Sequence, residues 1–173
     1  MRNDEFIAGE RKPKERKPKT AAQALQSLMR LAARSEKSSG DAMRLMMRWG
    51  VPEGEREGVL RKLIENRFID DSRDAEAYVR EKSRLGGWGA RKIAMQLRTK
   101  GVAQEVVNEA LRQIDGDDQQ QRLQEKLRRK LRTIKAETEC DRRGKLFRYA
   151  LSQGFDYSQV SEAVDAVMES RED

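Results

Sequence analysis

The sequence predicts an all-α protein made of three tandem three-helix repeats in an elongated, curved array. Three observations carry this. Gly50, Gly101 and Gly154 stand 51 and 53 residues apart in one shared pattern. Each has an apolar residue four positions earlier (Met46, Leu97, Ala150), another immediately after (Val51, Val102, Phe155) and a third ten positions on (Leu60, Leu111, Val164). Recurrence at this length marks stacked supersecondary units. Apolar residues also recur at helical spacing along the whole chain, and no stretch alternates with period 2 for long enough to demand a strand. Finally, hydrophobic content is 36%, charged content 39% and aromatic content 5%. That balance suits helices with narrow Leu, Val, Ile, Met and Ala stripes.

Residues 1–19 read as a disordered basic arm, in which Glu10–Lys14 is repeated outright as Glu15–Lys19. Its prolines and like charges oppose a helix. Repeat 1 spans 20–69. Leu25, Leu28, Met29 and Ala32 mark its first helix, and Ala42, Met43, Met46 and Met47 its second, which Gly50 closes as a C′ residue. Val59, Leu60, Leu63 and Ile64 mark the third, entered at Pro52 and weakened by Gly54 and Gly58.

Repeat 2 spans 70–115 and opens with Asp70-Asp71-Ser72, which is N-cap chemistry. Ala75, Tyr78, Val79 and Leu85 share a face; Gly86-Gly87-Trp88-Gly89 breaks the chain. Ile93 and Leu97 lead to Gly101, and Val106, Val107, Ala110, Leu111 and Ile114 give the last helix a broad apolar face. Asp115–Asp118 reads as a linker. Repeat 3, 119–170, carries Leu123, Leu127, Leu131 and Ile134, then Leu146, Phe147, Ala150 and Leu151, then Val160, Ala163, Val164, Val167 and Met168.

The formal net charge is +7 and the pI about 9.7, which points to an anionic partner, nucleic acid first. The charge is uneven: residues 72–114 carry net +4, residues 120–148 net +7 and residues 149–173 net −5. The basic surface therefore lies over repeats 2 and 3. There is no histidine and a single cysteine, Cys140, so metal-centre, disulfide and histidine-based catalytic chemistry have no residues to use. Neither a phosphate-binding loop nor any other catalytic set is present, so the expectation is a non-enzyme without cofactor or metal. Without a secretory h-region or a run near the ~20 apolar residues of a span, the expected location is the cytoplasm.

Candidate binding residues follow the charge. Arg91 and Lys92 stand in the first turn after Gly89, where free N–H groups and the helix dipole attract phosphate. Arg98 and Lys100 continue that helix, and Lys126, Arg128, Arg129, Lys130 and Arg132 crowd the first helix of repeat 3. Such a run also reads as a solvated face. Tyr78 shares a stripe with Ala75 and Val79, which favours the core over base stacking. Trp88 suits either a neighbouring unit or a contact surface. Asp70 and Asp71 read as a helix cap rather than an acid–base pair.

The central stretch resembles the RecX family of recombinase regulators. The residues that carry the likeness are Phe68–Arg73, Ala75, Ala77–Arg80, Gly87–Ile93, Gln96-Leu97 and Lys100–Val102, with Leu146–Arg148 and Ser152–Phe155 fitting the third unit. The likeness covers about residues 21–168. Asp74 departs from the family's aromatic or apolar residue, Ala90 from a proline, Gln96 from a glutamate, and Arg56 stands where the other repeats have Val107 and Val160. The resemblance implies a tandem of three-helix repeats that binds the RecA recombinase on single-stranded DNA, lodges in the filament groove and limits its ATPase, strand-exchange and coprotease activities. With the charge pattern, the expected contacts run through Arg80, Arg91, Lys92, Arg98, Lys100, Lys126, Arg129 and Lys130, made by a monomer. The rivals are a stand-alone nucleic-acid-binding protein that acts by occupying DNA, and a structural adaptor whose charge serves solubility.

Overall fold

The computed structural model describes residues 17–170, and among these every regular element is a helix. The first three are α1 (Ala21–Ala32), α2 (Ser39–Arg48) and α3 (Glu53–Glu65). They are followed by α4 (Asp71–Arg84), α5 (Ala90–Thr99) and α6 (Gln104–Leu111), then α7 (Gly116–Leu131), α8 (Glu139–Ser152) and α9 (Tyr157–Glu169). Starts are chemically specified. Thr20, Ser38 and Asp156 each form a capping box, with Gln23, Asp41 and Gln159. Asp70 accepts from the Ser72 and Arg73 N–H groups, so the Asp70-Asp71 pair begins a helix as its residue types suggest.

Asp115–Asp118 is not a linker. Asp115 is the N-cap of α7, accepting from the Asp117 and Asp118 N–H groups at 3.0 and 3.3 Å. Asp117 and Asp118 occupy the first turn, where the helix dipole favours carboxylates. A stretch that looks like a hinge is thus the start of the longest helix, and repeats 2 and 3 adjoin directly. Asp115→Ala should cost about 1 kcal/mol in chemical denaturation; an unchanged midpoint would reject the cap.

Each helix trio encloses its own core. Ala24, Leu28, Ala42, Met46, Val51, Val59, Leu63 and Ile69 form the first. Ala75, Val79, Ile93, Leu97, Val102, Val107 and Ala110 belong to the second, against which Tyr78 and Trp88 pack partly buried. Leu123, Leu127, Leu146, Ala150, Phe155, Val160, Val164 and Val167 belong to the third. Arg56, at the position of the buried valines 107 and 160, donates Nε to the Val51 carbonyl at 2.8 Å instead of entering the core.

The middle helices of the trios stack end to end. Gly50, Gly101 and Gly154 all have positive φ (70°, 85° and 91°), and the carbonyl just before each accepts a bond from the preceding part of the chain. Gln153 O accepts from Gly89 N at 2.8 Å, and Lys100 O accepts from Ser38 Oγ at 2.9 Å. Trp49 O accepts from Lys19 N at 2.8 Å. So α8 abuts α5, α5 abuts α2, and Pro18-Lys19 stands against α2 where a further repeat would. Pro18 lies over Gly50, and Lys19 Nζ sits 3.8 Å from the Trp49 ring centroid while donating to Ser27. The expected basic arm lies outside the described residues up to residue 16. Its last two residues are not free, because they satisfy the end of α2. Among the described residues, hydrogen bonds join repeat 1 to repeat 2 and repeat 2 to repeat 3, with none from 1 to 3.

Candidate functional site

A strongly cationic concavity lies where repeat 2 meets repeat 3. It is a cleft of about 420 Å³ lined by Arg84 and Leu85 from the end of α4, Gly86-Gly87, a face of α7 and Tyr149 of α8. The α7 face brings Arg122, Lys126, Arg129 and Lys130; Glu125 is the one carboxylate in the lining, and Asp118 behind it pairs with Arg122. Arg122, Lys126 and Arg129 follow at i, i+4 and i+7, so α7 presents them together. Lys130 Nζ stands 5.2 Å from the Tyr149 ring centroid.

Lys126 anchors the cleft wall. Its Nζ donates to Gly86 O and Gly87 O, both at 3.0 Å, and to Gln153 Oε1 at 2.9 Å. Burial, then the neighbouring charges of Lys92 and Arg129, push its pKa below the ordinary lysine value. Arg122 is paired with Asp118 at 2.8 Å, whereas no carboxylate pairs with Lys126, Arg129 or Lys130 among the described residues. A polyanion laid in the cleft relieves that repulsion, and Tyr149 offers an aromatic edge beside it.

The eight sequence-predicted residues do not converge. Lys126, Arg129 and Lys130 line the cleft. Lys92 lies close to Lys126 and holds its ammonium 4.3 Å from the Trp88 centroid. Arg80, Arg91 and Arg98 are exposed elsewhere, on α4 and α5, and Arg98 donates to Gln104. Arg128 and Arg132 turn to a separate groove with Leu131, Ile134, Arg142 and Val167.

Two expectations are corrected. The start of α5 is not an open phosphate site: Gly89 N and Arg91 N donate to Gln153 O and Gly154 O, at 2.8 and 3.0 Å. The end of one helix has filled the start of the next, and the two dipoles satisfy each other. Lys100 is not an unpaired cation. Its Nζ lies 2.6 Å from Asp74 Oδ2, in a carboxylate only 3% exposed as a residue, and 3.5 Å from Asp41 Oδ2. The departure at Asp74 and the lysine at 100 are one feature, a buried pair at the joint of repeats 1 and 2. Asp41 joins it: burial raises its pKa, but the Arg44 hydrogen bond, the Lys100 charge and bonds from Ser38 outweigh that and hold it below the usual carboxylate value.

Sequence reasoning missed Arg84, Arg122 and Tyr149. Arg122 was findable from its spacing to Lys126 and Arg129. Arg84 and Tyr149 come from other helices and reach the cleft only through packing.

Residues 70–111 match the second three-helix domain of RecX, and residues 117–164 the third. The chain belongs to the RecX family. Regulatory protein RecX of Mycolicibacterium smegmatis is 36% identical over 120 residues, covering 65% of this chain and 64% of that one. Regulatory protein RecX of Mycolicibacterium vanbaalenii is 32% identical over 124 residues, covering 72% and 67%. The chain thus spans just under two thirds of the first of these relatives and two thirds of the second. The crystal structure of RecX from Lactobacillus salivarius superposes with a TM-score of 0.71 at 19% identity, over 85% of this chain and 96% of that one, which shows the shared fold. The matched RecX domains are the two repeats whose junction forms the cationic cleft. These relatives bear the description of regulatory proteins. Among the described residues no group of histidine, cysteine and carboxylates is placed to hold a metal, and no helix is long and apolar enough to cross a membrane.

Proposed function

We propose that this chain is a negative modulator of the RecA recombinase that binds the RecA–single-stranded DNA filament and limits its ATPase, strand-exchange and coprotease activities. The carrying observation is the five-cation cleft between the two repeats that match RecX domains. In this reading the cleft takes the DNA phosphates. The repeats span neighbouring protomers, and holding them together restricts the movements that ATP turnover and filament extension require. Phosphate contacts position such a protein without reading sequence.

The test titrates this chain into RecA ATPase on single-stranded DNA. Inhibition at a small fraction of the RecA concentration supports filament binding. Inhibition only once the DNA is saturated supports the rival, a stand-alone nucleic-acid binder, which the same cleft also favours. Arg129→Ala with Lys130→Ala should leave stability within about 0.5 kcal/mol and make the slope of log affinity for DNA on log salt shallower by about one to two units. Lys12→Ala with Lys14→Ala removes the same charge from the N-terminal segment. Equal loss in both variants would show bulk charge rather than a site.

A further inference from the structure

The middle helices repeat on the outside as well as in the core. Counting back from Gly50, Gly101 and Gly154, the fourth and eighth positions are buried in every repeat: Met46, Leu97 and Ala150, then Ala42, Ile93 and Leu146. A core explains that recurrence. The third and sixth positions face solvent and owe nothing to a core. Yet in all three helices they hold one arginine and one large apolar residue. α2 has Arg44 and Met47, α5 has Met95 and Arg98, and α8 has Arg148 and Leu151, all exposed. Met47, Met95 and Leu151 are 58%, 51% and 39% exposed, and they are half of the large hydrophobics so exposed among the described residues. Of the other three, Leu85 edges the cationic cleft and Tyr157 packs its ring on Phe147 at 5.0 Å.

Residues three apart share a helix face. The end-to-end joints carry the face onward: Arg44 Nη1 donates to Thr99 O at 2.9 Å, beside Arg98, and the start of α5 bonds to the residues that follow Leu151. We infer that this stripe, Met47-Arg44, Arg98-Met95 and Leu151-Arg148, is the surface that docks on protein, and that its partner is an assembly of identical protomers, each offering an apolar recess; Arg98 and Arg148 meet a carboxylate beside it, whereas Arg44 is already paired with Asp41 at 2.7 Å. Nucleic acid is the poorer occupant, because the exposed side chains beside each arginine are aliphatic and not the aromatic rings on which unpaired bases stack. A single non-repeating protein has no reason to meet the same pair three times. Helices of 10 to 14 residues place successive pairs roughly 15–20 Å apart, and the partner's features recur at that interval. The inference rests on the filament reading and assigns this stripe to the protomers, leaving the cationic cleft to DNA.

The test replaces the three apolar residues by glutamine, which keeps helix propensity and net charge: Met47→Gln, Met95→Gln and Leu151→Gln, singly and together. Binding is read by co-sedimentation with RecA filaments on single-stranded DNA, and separately by anisotropy on DNA alone. Each single change should weaken filament binding about fivefold, and the triple change roughly a hundredfold, with DNA affinity and melting temperature unchanged. A triple variant that binds filament as wild type does would overturn the stripe while leaving the modulator reading intact. Loss confined to one of the three positions would overturn the repeating partner. Wild-type protein that ignores the filament would overturn both.

Discussion

Gly40→Ala should lower stability by about 3 kcal/mol, the upper range for overpacking a filled site. Gly144→Ala, at the same register of another helix, should raise it by roughly 0.5–1 kcal/mol. Both glycines stand ten residues before a positive-φ glycine, and both lie within helices. Alanine ordinarily favours a helix over glycine. At Gly40, however, an added Cβ would overlap the Lys100 carbonyl oxygen, with the Gly101 Cα also in contact at 3.0 Å. The obstruction is backbone, so no rotamer change relieves it, and the α2–α5 joint must open. At Gly144 the nearest atom to a new Cβ is the tip of the Arg148 side chain at 3.5 Å, ordinary contact. The opposite signs are read from urea midpoints by circular dichroism at constant m-value. Equal stability of Gly40→Ala and wild type would mean that the end-to-end joint is looser than described.

Lys100→Met should destabilise by about 3–5 kcal/mol, because it leaves Asp74 as an uncompensated buried carboxylate. Asp74→Leu with Lys100→Met should recover most of that loss. A buried ion pair replaced as a whole by apolar groups is often neutral, since two desolvation penalties vanish with one attraction. Leucine at 74, the fourth position after the N-cap Asp70, also matches the apolar character of the fourth position after Thr20 in repeat 1, where Ala24 is fully buried. The double-mutant cycle separates two roles for Lys100. If it contacted the filament, the double variant would fold but fail to inhibit. The geometry predicts a double variant that folds and inhibits. Asp41 should feel the change as well. Its depressed pKa means that its contribution is complete at neutral pH and is lost only as pH falls through the folded-state value. Removing the Lys100 charge moves that loss to higher pH.

Much of the fold was legible because the signals are local. The helical period placed Leu28, Leu97, Leu127 and Val164 inside, and all are buried. Gly50, Gly101 and Gly154 were read as helix ends, and their positive φ explains why glycine stands there. The linker at Asp115–Asp118 failed because Asp and Gly signal both a turn and an N-cap; only the bonds from the Asp117 and Asp118 N–H groups decide between them. The candidate site was less legible. Lys126, Arg129 and Lys130 were found as a run on one helix. Lys100 belongs to the same kind of run but meets Asp74, 26 residues away, and becomes structural. Arg91 was chosen for a helix start that another helix end already fills.

By itself the sequence determined an all-helical chain of recurring three-helix units, a basic middle and third part, and the absence of histidine chemistry. These depend on composition and on spacing within about one helix length, which the chain states directly. The tertiary structure alone decided which cations remain available. Lys100 and Lys126 are both lysines in basic stretches; one is held in a buried pair with Asp74, and the other is tied to Gly86, Gly87 and Gln153 with its charge still under strain from Lys92 and Arg129. Whether a charge is compensated depends on groups brought within about 4 Å by packing. That distance is set by how repeats 1, 2 and 3 abut, and no spacing along the chain encodes it.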